Sequence, residues 1–335
     1  MAKNIQPKVW QLADFNGRRY STNTPPGGEF VPLYRINFDG LSDGQSVVPT
    51  ANDPGSVEGK RFTSCLGDRG FYNGFGIQAT TAVKCTGKTS SCALSIKQGS
   101  DGDPAGGSTG ANTGAFGGIV SLGEAQVLEG EEIWWAMRIM FPLGFDFTTP
   151  NPVLKYIRLG QWHKDTHVRS TTGKNEHMIV NGIADSVGTS NVLGWGILSE
   201  VFPRFATETV KSCDRNLGER GVWHWVCGYI KASATAANCI ERIWCDDLLA
   251  YERTAGQFNK WHTSSGWQTQ TATDKPILLD TDQALDGFYI FTYWNGNSPQ
   301  DQTCYIQDFV YHKEASTIPN VDEFGNKFIG SGSIV

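Results

Sequence analysis

Charge is scarce in this chain of 335 residues: Asp, Glu, Lys and Arg together make up 19%, and the net charge is -6. Neutralising a nucleic-acid backbone takes a basic stripe, so the acidic balance excludes non-specific nucleic-acid binding. Long apolar runs are missing as well. No stretch of about 18 apolar residues occurs, which excludes a membrane-spanning helix, and no membrane partner is expected. The opening Met1-Ala2-Lys3-Asn4-Ile5-Gln6-Pro7-Lys8 lacks the apolar core of a secretory signal. Either such a signal has been removed, or the protein leaves its cell by another route, for which release of a virus particle by lysis is one model. Strong helix formers are thin, and Cys-x-x-Cys, Gly-x-Ser-x-Gly, His-Glu-x-x-His and phosphate-loop motifs are absent.

Present in their place are 39 Gly, 18 Phe, 11 Trp and 10 Tyr. β-Branched and aromatic residues alternate between clusters of Gly, Asn, Asp and Ser, the pattern of short strands joined by turns. Strands are expected at Tyr34–Asp39, Ala93–Lys97, Glu132–Phe141, Val153–His163, Trp195–Val201, Val222–Lys231, Glu241–Glu252, Gly287–Trp294 and Cys304–Lys313. The predicted fold class is all-β, a two-sheet antiparallel β-sandwich of jelly-roll type. Residues 1–30 read as an irregular N-terminal arm, 31–315 as one domain, and 316–335 as a loose C-terminal tail.

Two segments carry a resemblance. Ala93-Leu94-Ser95-Ile96, a Gly-rich loop and Trp135-Ala136-Met137-Arg138-Ile139-Met140-Phe141-Pro142-Leu143-Gly144-Phe145-Asp146-Phe147 resemble the alginate and glucuronan lyase-like jelly rolls of concanavalin-like fold. The later strands, including Trp225–Lys231, Ile243–Leu249 and Phe291–Val310, are similar in the same way. The likeness extends over about residues 90 to 312. It implies the sandwich fold and a polysaccharide ligand, and it matches Lys155 by position to a family lysine. The paired glycines and the proline of the family's motif on that strand are missing here.

Alternation along Val153–Lys164 places Ile157 and Leu159 on the core side and Tyr156, Arg158 and Trp162 on the opposite face. An aromatic ring stacks on the apolar face of a pyranose, and Arg takes a carboxylate in bidentate fashion, so these three are the candidate glycan-binding set. If the protein is a lyase, Arg158 would neutralise a uronate and Tyr156 would move the proton. Lys155, Gln161 and His163 would assist, the last two brought round by a bulge near Gly160. The plainer alternative has Tyr156 and Trp162 padding an exposed sheet while Arg158 pairs with an acid.

Other features carry less. Asp101 and Asp103 could hold calcium in their Gly-rich loop, or simply sit in a solvated turn; no other metal or cofactor is expected. His224, between Trp223 and Trp225, reads as a packed strand residue. Neither Glu131-Glu132 nor Asp246-Asp247 forms the carboxylate pair of a hydrolase. The eight cysteines allow disulfides, at Cys85–Cys92 and within the group Cys213, Cys227, Cys239 and Cys245, and equally allow buried thiols. So many Trp predict an exposed aromatic patch.

The functional expectation is a non-catalytic glycan-binding or structural protein on an external surface. A phage virion component, such as a capsid decoration, collar or tail part, fits best, with the N-terminal arm contacting other virion subunits. The alternatives are a polysaccharide lyase acting by β-elimination and a purely architectural subunit.

Overall fold

In the computed structural model, residues 11–13, 19–21, 30–36, 64–65, 80–84, 90–96, 118–122, 125–147, 153–166, 168–169, 176–179, 182–183, 197–201, 204–208, 220–233, 235, 238–254, 258–263, 265–271, 282–295 and 298–334 are described. β1 (Gln11–Ala13) and β2 (Arg19–Ser21) pair with each other inside the expected arm. Then come β3 (Tyr34–Ile36), β4 (Ser64–Cys65), β5 (Thr80–Lys84), β6 (Ser90–Ile96), β7 (Gly118–Ser121) and β8 (Glu132–Met140). The middle of the chain holds β9 (Val153–His163), β10 (Val168–Arg169), β11 (Glu176–Ile179), β12 (Gly182–Ile183), β13 (Ile197–Val201) and β14 (Arg204–Glu208). β15 (Trp223–Lys231), β16 (Ile240–Cys245), β17 (Leu248–Thr254), β18 (Phe258–Thr263) and β19 (Gly266–Thr271) follow. The long β20 (Gln283–Asn295) and β21 (Gln302–His312) precede a last hairpin, β22 (Asn320–Val321) and β23 (Lys327–Phe328).

Among the described residues, two large antiparallel sheets form beside the two-stranded pairs β1–β2 and β22–β23. One runs β19-β18-β17-β16-β15-β8-β21-β6-β5, with β3 also on β21; the other runs β14-β13-β11-β9-β20-β7-β4, with β10 and β12 also on β9. One face of each joins a common core: Ile133, Trp135, Met137, Ile139, Val226 and Ile230 from the first meet Ile157, Leu159, Leu285, Phe288 and Ile290 from the second. This is the antiparallel β-sandwich that the alternation predicts. Among the described residues no helix is long and apolar enough to cross a membrane.

Bulges set which side chains reach that core. On β21 the register shifts between Gln307 and Phe309, and the extra residue, Asp308, sits at φ 50. Ile306 faces the core before it, and Phe309 and Tyr311 face the core after it. The extra residue reverses the parity, so all three reach the same side. Its carboxylate is held by Arg35 at 3.1 Å. β16 and β17 meet at a two-residue turn, Asp246-Asp247, with both residues at positive φ (48 and 65). That is the primed hairpin turn whose twist suits flanking strands, and Asp tolerates it. The expected single run Glu241–Glu252 is therefore a hairpin.

Two expectations are corrected. Within the expected loose tail at 316–335, the described residues 316–334 are packed. After a 3-10 turn at Ala315–Thr317, capped by the Glu314 carboxylate, the chain folds back over the outer face of the β8-containing sheet and buries Ile318, Phe328, Ile329 and Ile334 there. The cause lies in the sheet: Trp134, Trp225 and Trp244 point outwards and would expose both apolar rings and N–H donors. They donate instead to Lys327 O (2.8 Å), Ile329 O (2.7 Å) and the Asp322 carboxylate (3.0 Å). Trp244 also stacks on Phe328. For the same reason the predicted exposed Trp patch is not found among the described side chains, where the exposed large apolar residues are Val31, Leu33, Leu128, Leu143, Val222 and Phe324.

The cysteine expectation changes too. Cys227, Cys239, Cys245 and Cys304 are buried thiols outside any disulfide. Cys227 packs on the outer face under the C-terminal segment while Cys245 packs into the sandwich core, so the sheet itself separates them. Burial pushes the Cys227 and Cys304 thiols up, and that of Cys239 up to about 11, which keeps all three protonated at neutral pH. Cys85 and Cys213 lie outside the described residues, and so do Asp101 and Asp103.

Candidate functional site

β9 occupies an interior position in its sheet, with β20 on one side and β10, β11 and β12 along the other. Its alternation is fixed by two anchors: Ile157 and Leu159 are fully buried in the core. Positions 156, 158, 160 and 162 therefore belong to the opposite face, away from the other sheet. Arg158 pairs with Tyr289 of β20 and with Met178 of β11; Trp162 pairs with Ala284 of β20 and Arg169 of β10. Gly160 lies between Gly287 and Glu176, and Glu176 is itself opposite Glu200 of β13. Directly paired residues share a face. The backbone thus gathers Tyr156, Arg158, Trp162, Arg169, Met178 and Tyr289 positions around a paired-glycine step.

The bulge expected near Gly160 exists, but on the neighbouring strand. Gly160 pairs with Gly287 and Gln161 with Leu285, so the extra residue is Asp286 of β20. β9 keeps its own alternation through this step. Lys155, Gln161 and His163 hold positions paired with Tyr293, Leu285 and Gln283, in step with Ile157 and Leu159. The backbone accordingly separates them from Tyr156, Arg158 and Trp162. A second irregularity falls between Ile290 and Tyr293, opposite Tyr156.

Sequence reading missed Tyr289 and Arg169 as companions of Arg158 and Trp162, because pairing between β9, β10 and β20 sets those neighbours. The alternation of Gly287–Trp294 marks a strand, yet nothing in it gives the register. The acids weighed for hydrolysis have structural partners. Glu131 accepts from Leu128 N–H (2.9 Å) and the Lys313 ammonium (2.7 Å); Asp247 accepts from Ser331 N–H and Oγ–H at 2.7 and 2.5 Å. Burial raises the Asp247 carboxyl above its ordinary range, against the pull of those Ser331 bonds.

The sequence matches no protein-family model and no curated protein. Solved structures do show similarity in fold. The endo-β-1,4-glucuronan lyase of the fungus Trichoderma reesei is 14% identical with a TM-score of 0.46, over 86% of this chain and 98% of that one. Alginate lyase vAL-1 from Chlorella virus is 13% identical with a TM-score of 0.41, over 70% of this chain and 89% of that one. The binding domain of botulinum neurotoxin serotype D is 12% identical with a TM-score of 0.38, over 84% of this chain and 47% of that one. Scores this low leave the function to be argued from the chain's own residues.

Proposed function

We propose that this protein binds an acidic polysaccharide on the face of the β9-containing sheet that points away from the core. The observation behind the proposal is the parity of β9: burial of Ile157 and Leu159 assigns Tyr156, Arg158 and Trp162 to the opposite face, where Tyr289 pairs with Arg158. Aromatic residues supply stacking surface for sugar rings, and two arginine positions supply carboxylate forks. The role is binding. Lys155, Gln161 and His163 fall on the other parity, so an elimination centre built from all five residues is not favoured.

We further propose that the protein sits on an external surface, as a phage virion component that adheres to polysaccharide. Its supports are the little periodicity of residues 1–30 and the polar, Gly-rich loops. Mass spectrometry of purified particles tests this part.

The binding test is affinity electrophoresis in gels cast with alginate, glucuronan or pectate. Retardation by at least one polymer is expected, with Arg158→Ala losing about tenfold in affinity, the cost of one charge-assisted bond. Unchanged migration in every gel would overturn the proposal. Ultraviolet absorbance of the same incubations detects unsaturated uronate; a rise would replace binding with elimination.

A further inference from the structure

His224, Cys245 and Asp246 converge at one end of the β15–β16 pair, away from the proposed glycan face. The pairing dictates the meeting. Val226 lies opposite Cys245, and both pack into the core; His224, two residues before Val226, points the same way. The Asp246-Asp247 turn then carries Asp246 back across the strand end. Its backbone N–H donates to Trp225 O at 2.8 Å, and its Oδ1 accepts the Trp225 N–H at 2.9 Å. Its Oδ2 lies 2.7 Å from His224 Nδ1. One imidazole nitrogen, one thiol sulfur and one carboxylate oxygen all lie within 4.8 Å of one another. The His224 side chain is 5% exposed and Cys245 3%, whereas the Asp246 side chain is 47% exposed, so two ligands are dry and the third opens to solvent.

We propose that these three residues form a binding site for a zinc-class divalent cation. The donor set selects the ion. Calcium and magnesium require oxygen ligands, while a mixed sulfur, nitrogen and oxygen set suits zinc. Bond lengths of about 2.0 to 2.3 Å put tetrahedral ligand atoms roughly 3.5 Å apart. The 2.7 Å between His224 Nδ1 and Asp246 Oδ2 is shorter than that value, and the half-exposed Asp246 carboxylate can move to meet it, while the Cys245 sulfur lies within 4.8 Å of both partners. The Trp225 N–H on Asp246 Oδ1 orients the carboxylate in the way outer partners hold metal ligands. On binding, the Cys245 thiol gives its proton to solvent and ligates as thiolate, and water takes the fourth position. The site joins residues 22 apart in the chain, which explains why no short spacing motif announces it.

The test uses the full chain, freed of metal, with zinc ion alone and cobalt ion as a spectroscopic probe. One zinc per chain is expected by chelator competition, together with a sulfur-to-cobalt charge-transfer band. Cys245→Ser should abolish the band, and His224→Gln should weaken zinc by at least about tenfold. Cys227→Ser and Cys304→Ser should leave both signals intact, since those sulfurs lie elsewhere. Should the Cys245 or His224 variants fail to fold by circular dichroism, Asp246→Asn decides: Asn suits the positive φ and still accepts from Trp225 N–H, yet it removes the anionic ligand, and zinc affinity should fall. Absence of stoichiometric zinc in the parent chain, or unchanged zinc and cobalt signals in the folded variants, would overturn the site.

Discussion

Gly228 lies on β15 directly opposite Trp135 of β8, and a Cβ there would sit 2.2 Å from the indole ring. The fully buried indole fills the space that any side chain at 228 would need. Gly228→Ala is therefore an overpacking change inside the sheet, expected to cost at least about 3 kcal/mol; a melting curve or urea titration measures it. His312 illustrates a different constraint. Its Nδ1 accepts the Leu33 N–H at 3.1 Å, and its Nε2 lies 2.6 Å from Thr317 Oγ1, so the ring is held neutral. Burial lowers its pKa below the ordinary 6.5, more strongly than nearby Glu314 raises it. The unfolded chain thus takes up a proton first as the pH falls. This contribution is complete above about pH 6.5 and is lost as pH falls through the lower folded value. The melting temperature should decline from about pH 7 towards pH 5, and His312→Gln should flatten that decline. An identical slope in the variant would contradict the assignment.

At the scale of elements, the C-terminal segment does what an additional sheet layer would do. Three indole N–H groups, the Cys227 sulfur accepting from Ile329 N–H at 3.4 Å, and the Asp247–Ser331 bonds fasten it to the outer face. Trp225→Phe should destabilise the protein by about 1–3 kcal/mol, the cost of leaving the Ile329 carbonyl unpaired. Hydrogen exchange should then quicken at 327–331 before it does so in β8. This segment was hidden from sequence reading because its apolar residues, Ile318, Phe328, Ile329 and Ile334, follow neither strand nor helix period. The strands themselves were legible where a run alternates without interruption: β9 keeps the predicted bounds, and β8 and β15 shift by one residue. Bulges were less so. The adjacent polar pair Gln307-Asp308 between Ile306 and Phe309 carries the signal of one, since no unbroken alternation could bury both apolar neighbours. The hairpin β18–β19 escaped notice because Asn259, Lys260, Gln268 and Gln270 dilute its apolar pattern.

At the scale of the whole molecule, the outer face of the β8-containing sheet is covered by described residues of the chain itself. The outward aromatics around Trp134, Trp225 and Trp244 are covered by the chain's own C-terminal segment, so these three form no ligand surface. That positions 156, 158 and 162, the proposed site, share one face was readable from alternation within one strand, but the neighbouring positions Tyr289 and Arg169 depend on register across strands, which one sequence does not encode locally. The most direct measurement is the affinity of uronate polymers for the parent chain, Tyr156→Ala and Arg158→Ala, with melting temperature recorded for each. Binding by the parent, a loss of about tenfold in each variant and unchanged melting are expected. Equal binding by all three folded proteins would contradict the assignment of the ligand face to β9.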